Sequence, residues 1–481
     1  YTAAGLAFIA EIPGVRQVWE VRGIGRLGYQ GQETSPNVIP WPEQLTFETE
    51  RVAEVEFSPV VGDGRLIYTC DMGGNENMQL MLLSADGALE TALTVGYEEA
   101  RHTFGAWSPD GTRVLFAANR RQRGLFDLYV QPLGGETRLV WENDAPGYLA
   151  NMSFAPDGLR SGALAQHQHS NWVCVTRMAS SFNHALFEID LATGMARRLI
   201  TEESGVRYLA AHYAPDGQTL FVNTDLDSDF LYIARLDLQS GALVRLVEPE
   251  ADCEALALSP DGKTLAYAIN REGVHHVHAL DLATGTTRDI PDLGVGPGLI
   301  PDGRLRFSSD STRLAFAFTS ATHSSDIFVW DLSWDRVQMD DLCQPVTHVS
   351  HGGLPMASFV APELVHYPTF DHGEEDEAQP RQIPAWFYKP AGESNESTPA
   401  IIMVHGGPEG QFRPRFNATI EYFVHHGYAV LAPNVRGSTG YGKAYSHLDD
   451  VDRRMDSVAD LAHAAHWLGA RSDIDGERLV V

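Results

Sequence analysis

The chain has 481 residues, with 64 acidic and 35 basic side chains that give a formal charge of −29. This length exceeds what one compact core holds, so we expect at least two domains. A surface this acidic repels phosphate backbones, which argues against a nucleic-acid partner. The sequence has no apolar run long enough to span a bilayer, so we expect no membrane partner either.

The four cysteines are scattered, and no two of them form a C-x-x-C pair. They are Cys70, Cys174, Cys253 and Cys343. This spacing argues against a zinc site and against a disulfide scaffold, and it favours a reducing cytoplasm. We expect neither a metal nor a cofactor. The sequence begins at Tyr1 rather than at a methionine, so it neither shows nor excludes a signal peptide.

A short motif recurs through the first 350 residues. It reads TFGAWSPDGTRVLFAA at 103–118, YLAAHYAPDGQTLFVN at 208–223 and ALALSPDGKTLAYAI at 255–269. Each copy is an alternating strand, a Pro-Asp-Gly turn and a second strand. Proline fixes φ, aspartate bonds the local backbone, and glycine accepts a positive φ, so each copy predicts a tight hairpin.

A second hairpin follows each copy, which gives units of four strands. The turn prolines at positions 59, 109, 156, 215 and 260 are 50, 47, 59 and 45 residues apart. Four-stranded units at this period are typical of a β-propeller. Counting a diverged first unit at 5–23, we predict seven blades over residues 1–350. The alternative is a string of β-sandwiches, which would not repeat one turn at so regular a spacing.

Two histidine clusters fall within the predicted propeller. They read QHQH at 166–169 and HHVH at 275–278. Clustered histidines can bind metals, but neither group has a neighbouring cluster of carboxylates or cysteines. We therefore interpret them as surface or packing histidines.

Strands and helices alternate after the repeat ends, over residues 355–481. The predicted elements are strands at 363–370, 382–390, 400–405 and 428–435, a helix within 416–427, and a last apolar strand that begins in ERLVV. A second helix carries Met455, Val458, Ala462, Ala465 and Leu468 at helical spacing, which predicts its buried stripe. The first two strands are predicted to pair as a hairpin, and the alternation of strands and helices after them predicts a parallel sheet with right-handed crossovers.

Three motifs in this second region identify a family. They are H-G-G-P at 405–408, APNVRGSTGYG at 432–442 and DIDGERLVV at 473–481. Together with the propeller repeat they resemble the prolyl oligopeptidase family of serine peptidases, most closely its acylaminoacyl-peptidase branch. The resemblance implies a seven-bladed β-propeller followed by the N-terminal part of an α/β-hydrolase domain. It also implies that the propeller restricts access to short peptides.

The H-G-G-P motif suits the chemistry that this resemblance implies. Amide hydrolysis passes through an oxyanion, which backbone N–H groups stabilise, and losing one donor costs about 3–4 kcal/mol. By resemblance, the Gly407 amide is the first oxyanion-hole donor, and His405, Gly406 and Pro408 shape the loop or bind substrate. The alternative is that the motif is only a turn.

No residue of the sequence qualifies as the nucleophile. In α/β-hydrolases the triad runs Ser, Asp, His, and His405 precedes every candidate serine. Ser438 follows Gly437 directly and so lacks the G-x-S-x-G spacing. Arg436 is expected to order its loop or to contact substrate. We expect the triad beyond Val481, a hydrolase domain incomplete at its C-terminus, and a chain that is inactive alone although the parent protein is an enzyme.

Substrate specificity stays open at this stage. The acylaminoacyl, dipeptidyl and internal modes of cleavage are all compatible with the sequence. The acidic pairs Glu98-Glu99 and Glu202-Glu203 could hold an N-terminal amine, or they could be solvated loop residues. Two rival functions are an esterase on the same scaffold and a non-catalytic propeller that binds a partner. Assembly into a homo-oligomer is also open.

Overall fold

The computed structural model describes residues 5–12, 14–22, 41–156, 171–200, 204–332, 343–373, 379–390, 397–407 and 409–481. Three features predicted from the sequence lie outside these residues. They are the QHQH cluster at 166–169, the Glu202-Glu203 pair and Pro408.

The repeated turn closes a hairpin by using its own polar groups. Ser108 Oγ donates to Asp110 Oδ1 at 2.5 Å, and the same oxygen accepts from the Thr112 amide at 3.0 Å. The Gly111 amide donates to the Ser108 carbonyl at 2.9 Å, and Gly111 has φ +65°. The turn therefore satisfies its polar groups locally and needs glycine where φ is positive.

Seven antiparallel sheets follow one another along the described residues of this region, and they form the predicted seven-bladed propeller. The first three sheets comprise β1 (Gly5–Ala10), β2 (Gln17–Arg22) and β3 (Glu43–Gln44); β4 (Val52–Phe57), β5 (Leu66–Cys70), β6 (Gln79–Leu83) and β7 (Glu90–Ala92); and β8 (His102–Trp107), β9 (Arg113–Gln122), β10 (Leu125–Pro132) and β11 (Arg138–Trp141).

The next four sheets have the same plan. They comprise β12 (Tyr148–Phe154), β13 (Trp172–Ser180), β14 (Asn183–Asp190) and β15 (Ala196–Arg198); β16 (Tyr208–Tyr213), β17 (Thr219–Thr224), β18 (Tyr232–Asp237) and β19 (Leu243–Val247); β20 (Asp252–Leu258), β21 (Thr264–Arg271), β22 (Val274–Asp281) and β23 (Thr287–Asp289); and β24 (Gly298–Leu299), β25 (Arg306–Phe307), β26 (Arg313–Ser320), β27 (His323–Asp331) and β28 (Cys343–Pro345).

The first strands of the sheets surround a central cavity of about 730 Å³. Strands β4, β8, β12, β16 and β20 all contribute side chains to its wall. Buried apolar clusters fill the space between neighbouring blades. The first and seventh blades meet through one such cluster, in which Leu6 and Val21 pack on Ala315 and Val329. Among the described residues these two blades share no strand, so side-chain packing closes the ring.

The second region is a five-stranded sheet with helices on its faces. Its elements are β29 (Glu363–His372), β30 (Pro380–Tyr388), β31 (Thr398–Ile402), α1 (Ala418–His425), β32 (Ala429–Pro433), α2 (Lys443–Ser446), α3 (Arg454–Gly469) and β33 (Ile474–Val480), with 3-10 turns at Met356–Ser358 and Val451–Arg453. The strand order is β29-β30-β32-β31-β33. Only β32, β31 and β33 are parallel, because β30 pairs antiparallel with both β29 and β32. The sheet is therefore mixed, and the parallel pairing predicted for the strands that alternate with helices is confirmed for β31, β32 and β33.

The predicted buried stripe of α3 is confirmed at Leu468 and Ala465 but wrong at its N-terminal end. Met455 is 68% exposed and Val458 is 48% exposed. The buried residues of this helix are Ser457, Asp460, Ala464 and Leu468. A stripe that counts only apolar residues misses this face, because Asp460 is buried through its pairing with Arg436, which follows β32. None of the helices in the described residues is both long and apolar enough to cross a membrane.

Candidate active site

The mixed sheet has a switch point between β31 and β32. The chain leaves β31 for α1, which packs with Val430 and Ala432 on one face of the sheet. It leaves β32 for α3, which packs with Ala429 and Leu431 on the opposite face. In α/β sheets, ligands bind in the crevice at the carboxyl ends of two strands whose connections diverge in this way. Loop A (residues 403–417) and loop B (residues 434–442) flank this crevice.

Backbone and amide groups join loop A to loop B. The Asn434 side chain is fully buried; its Oδ1 accepts from the Phe412 amide at 2.6 Å, and its Nδ2 donates to the Phe412 carbonyl at 3.0 Å. The Thr439 amide donates to the Gly410 carbonyl at 2.9 Å. Because a buried amide side chain needs several partners, Asn434 fixes the spacing between the loops.

His405 and Ser438, which sequence reasoning treated separately, lie in contact. His405 Nε2 is 3.0 Å from Ser438 Oγ. Ser438 is fully buried, and its hydroxyl donates to the Val435 carbonyl at 2.6 Å. A carbonyl oxygen can only accept, so the single hydroxyl proton of Ser438 is directed at Val435, while His405 Nδ1 lies 3.0 Å from the Gly406 carbonyl. The pair cross-links the two loops.

Gly407 adopts a conformation that few other residues tolerate. Its φ is +139°, and a Cβ at this position would lie 2.6 Å from the Glu409 nitrogen. The residue is exposed, and among the described residues nothing accepts a hydrogen bond from its amide. Gly406 differs, because a Cβ there would meet no atom within 4 Å. The turn thus presents an unused N–H group at the crevice.

Arg436 is buried at the start of loop B and is 2% exposed. Its guanidinium donates to Asp460 at 2.9 and 2.8 Å and to Asp371 at 3.1 and 2.7 Å. It also stacks on Phe370, with 4.5 Å from Cζ to the ring centroid. Burial opposes ionisation of Asp371, but the Arg436 guanidinium outweighs it and holds the pKa of that carboxyl below its ordinary value. All these contacts are internal, so Arg436 orders its loop.

The propeller also contacts both loops. Arg413 of loop A binds Glu254 of β20 at 2.7 Å. Just after loop B, the Lys443 amide donates to the Asp229 carbonyl at 2.9 Å, and the Ala444 amide donates to Asp229 Oδ1 at 2.6 Å. Sequence reasoning singled out none of these residues. No local signal could have paired Arg413 with Glu254, because 159 positions separate them.

The remaining candidates lie elsewhere in the propeller. Glu98 is exposed, and its Oε1 accepts from the Gly96 amide at 2.8 Å within a turn. His275 is buried and lies 2.9 Å from Glu254, whereas His278 pairs with Asp289 at 2.8 Å. Over the described ranges, no three His, Cys, Asp or Glu side chains are grouped so that they could hold a metal ion.

Comparison with known proteins finds similarity to peptidases. Residues 414–481 match the model of the prolyl oligopeptidase family. Dipeptidyl aminopeptidase BIII of Pseudoxanthomonas mexicana is 24% identical over 422 residues, which cover 84% of this chain and 55% of that protein. Dipeptidyl-peptidase 5 of Arthroderma otae is 36% identical over 75 residues, or 15% of this chain and 10% of that protein.

Solved structures share the fold. The crystal structure of a puromycin hydrolase has a TM-score of 0.77 at 17% identity and covers 100% of this chain and 72% of its own. A Mycobacterium tuberculosis puromycin-hydrolyzing peptidase has a TM-score of 0.74 at 17% identity and covers 97% of this chain and 70% of its own.

The propeller and the mixed sheet with its crevice define a propeller-bearing hydrolase fold. Within that class the chain resembles the prolyl oligopeptidase family, as its motifs predicted, with the family model matching residues 414–481. It spans 55% of the length of the bacterial relative. The relatives reported above are named dipeptidyl peptidases and puromycin hydrolases, so membership of the acylaminoacyl branch stays a prediction.

Proposed function

We propose that the protein is a serine peptidase that removes short N-terminal segments from small peptides. The Gly407 amide is the oxyanion-hole donor from loop A, and a second donor follows the nucleophile, as in α/β-hydrolases generally. The sequence contains no G-x-S-x-G motif, so this proposal assigns the serine and its Asp and His partners to positions outside residues 1–481. Ser438 is not the nucleophile, because its hydroxyl donates to the Val435 carbonyl.

The observation that carries the proposal is the unused amide of Gly407. Gly407 is exposed, and among the described residues nothing accepts a hydrogen bond from its N–H group, so this donor is free to bind a guest. Here the group lies in the crevice that α/β sheets use for ligands, and loop B braces the surrounding backbone. A rigid donor is what stabilises a charge that exists only in the transition state, because no reorganisation is needed at the moment of reaction.

Two further features support small peptides as the substrate class. The central cavity of about 730 Å³ has room for a peptide of a few residues but not for a folded protein. The formal charge of −29 favours guests that carry a free, cationic N-terminal amine. The relatives named dipeptidyl peptidases agree with release of dipeptides, and release of a single acylated residue is the second candidate.

The test uses the natural full-length protein with three substrates: alanyl-alanyl-4-nitroanilide, N-acetyl-alanyl-4-nitroanilide and 4-nitrophenyl butyrate. We expect the highest kcat/KM on the free dipeptide. A preference for the acetylated substrate would select the acylaminoacyl mode. Activity on the ester alone would replace the peptidase by an esterase.

Labelling with a serine-directed fluorophosphonate distinguishes an enzyme from the third candidate, a non-catalytic propeller that binds a partner. We expect one covalent adduct per chain, lost when peptide substrate is present in excess. A protein that forms no adduct and hydrolyses none of the three substrates would be a binding propeller rather than an enzyme.

A further inference from the structure

The far end of loop A is anchored in the propeller rather than in its own domain. Arg413 lies six residues after Gly407. Its guanidinium donates to both oxygens of Glu254, at 2.7 Å from Nη1 and 2.8 Å from Nη2. Side-by-side bonds of this kind fix direction as well as distance, because the planar guanidinium matches the carboxylate. Glu254 lies on β20 and contributes to the wall of the central cavity.

The Glu254 carboxylate is fully engaged by donors. Besides Arg413, Asn270 Nδ2 donates to Oε1 at 2.8 Å, and His275 Nε2 lies 2.9 Å from Oε2. The Ile300 amide donates to His275 Nδ1 at 3.1 Å, so the ring proton is on Nε2 and points at the carboxylate. Burial opposes ionisation of Glu254, but Arg413 and His275 outweigh it and hold its pKa well below the ordinary value. The clamp is therefore charged across the physiological range.

The hairpin between β21 and β22 is shaped to receive loop A. Asn270 Nδ2 donates to Gln411 Oε1 at 2.7 Å, two residues before Arg413. Gly273, at the turn, has φ +88°, and a Cβ there would lie 3.3 Å from Arg413 Cγ. Val274 packs against the apolar cluster that also contains Phe412. Three kinds of contact thus hold residues 411–414 against one hairpin of the sixth blade.

We propose that Glu254 is a positioning residue for the peptidase reaction, which acts through Arg413 to hold loop A and the Gly407 amide in place. This inference rests on the proposed function. The described residues of loop A form no helix or strand, so its shape depends on its anchors. Loop B fixes one side of it through His405, and the propeller fixes the other through Glu254. The oxyanion donor is then held jointly by both domains, and the propeller takes part in catalysis without touching the reacting atoms.

The direct test is Glu254→Gln in the natural full-length protein. Glutamine keeps the shape of the side chain, but it loses the charge and turns one acceptor into a donor that faces Arg413. We expect kcat for the dipeptide substrate to fall by about tenfold to a hundredfold with little change in KM, since a small misplacement of a catalytic group costs rate rather than binding. An unchanged kcat would overturn the proposal.

Glu54→Gln is the matched control. Glu54 is also the third residue of an inner strand and faces the same cavity, but it pairs with Arg304 at 3.3 Å within the propeller. Hydrogen exchange gives a readout that does not need activity. We expect amides between Gly407 and Phe412 to lose protection in Glu254→Gln and to keep it in Glu54→Gln. Equal protection in both variants would show that the clamp does not hold the loop.

The exchanged pair Glu254→Arg with Arg413→Glu completes the test. If the clamp positions the loop, the double variant recovers part of the lost kcat, while either single charge reversal is worse than Glu254→Gln. A double variant no better than the single reversals would assign Glu254 a merely structural role. A wild-type protein without hydrolase activity would refute the proposed function, and loop protection would still decide whether the clamp exists.

Discussion

Two turns of the molecule place a glycine at positive φ, but the two turns use the glycine amide in opposite ways. In the propeller turn, the Gly111 amide donates to Ser108, and Asp110 accepts from the residues that follow. In loop A, the Gly407 amide has no acceptor among the described residues. The first turn satisfies its polar groups within itself and is repeated around the ring. The second leaves a donor unused and depends on outside anchors. The propeller is therefore specified by a turn that recurs in several blades. The region after it depends instead on contacts that each occur once.

The largest expected effect tests this dependence at Arg436. Arg436→Met leaves Asp371 and Asp460 without their cation, and breaking a buried ion pair costs about 3–5 kcal/mol of unfolding free energy. Denaturant unfolding of the variant measures the loss. Arg478→Met is the control, because its pair with Asp475 is solvent-exposed and contributes little to stability. Equal losses of unfolding free energy in Arg436→Met and Arg478→Met would contradict the dependence of this region on the Arg436 contacts.

The next largest effect is expected when the Gly407 turn, which carries the unused backbone amide, is changed. Gly407→Ala forces a side chain into a backbone of φ +139°, with its Cβ 2.6 Å from the Glu409 nitrogen. The turn must rearrange, so we expect kcat for peptide substrates to fall by about 10²- to 10³-fold, as for loss of one oxyanion donor. Gly406→Ala should lower kcat much less, because a Cβ at that position would meet no atom within 4 Å. The opposite ranking would remove Gly407 from the proposed mechanism.

A buried histidine of the third blade, His102, gives a pH dependence. His102 Nε2 accepts from Arg120 Nε at 2.9 Å, and Nδ1 lies 3.0 Å from the Met78 carbonyl. Burial, with Arg120 adding to it, lowers the pKa of His102 from 6.5 to about 4. The neutral ring is thus favoured by folding, and its contribution is complete above pH 6.5 and lost as pH falls towards 4.

This loss amounts to about 3 kcal/mol between neutral pH and pH 4. Urea unfolding at several pH values measures it. His102→Gln should remove this part of the pH dependence while the remainder, from other groups, persists. If the unfolding free energy of the variant changed with pH as steeply as that of the wild type, His102 would not be the source of this pH dependence.

The smallest effect belongs to the repeated turn. A Cβ at Gly111 would lie 2.8 Å from Val60 Cγ2, so Gly111→Ala adds a clash to the strain of positive φ. We expect a loss of about 2 kcal/mol, against about 1 kcal/mol for Gly87→Ala, where φ is also positive but no atom lies within 4 Å. Thermal unfolding measures both. Hydrolysis should stay unchanged in either variant, and a loss of activity would contradict the separation of the two turns.

The parts of the fold that could be predicted are those with a local signal. The Pro-Asp-Gly turn recurs in sequence, so the blades and their number followed from it. The crevice loop could be found because glycines after a short apolar strand stand out. The buried face of α3 was predicted wrongly at its N-terminal end, because Asp460 is buried only when Arg436 neutralises it, and apolar spacing carries no information about that pairing.

Contacts between distant residues could not be predicted at all. Glu254 and Arg413 look like ordinary surface charges in the sequence, and only the folded chain brings them to 2.7 Å. His405 and Ser438 were each considered alone, and each was rejected for the triad on chain order or spacing. Their contact across the two loops required knowing that β31 and β32 are neighbours in the sheet.

The hydroxyl of Ser438 has one further consequence. Its oxygen is buried and its proton is directed at the Val435 carbonyl, so this oxygen is a poor nucleophile despite its histidine neighbour. An electrophilic phosphonate added to the protein should therefore leave the tryptic peptide carrying Ser438 at its native mass. Any mass shift found elsewhere then reports the true attacking residue without interference from a buried bystander.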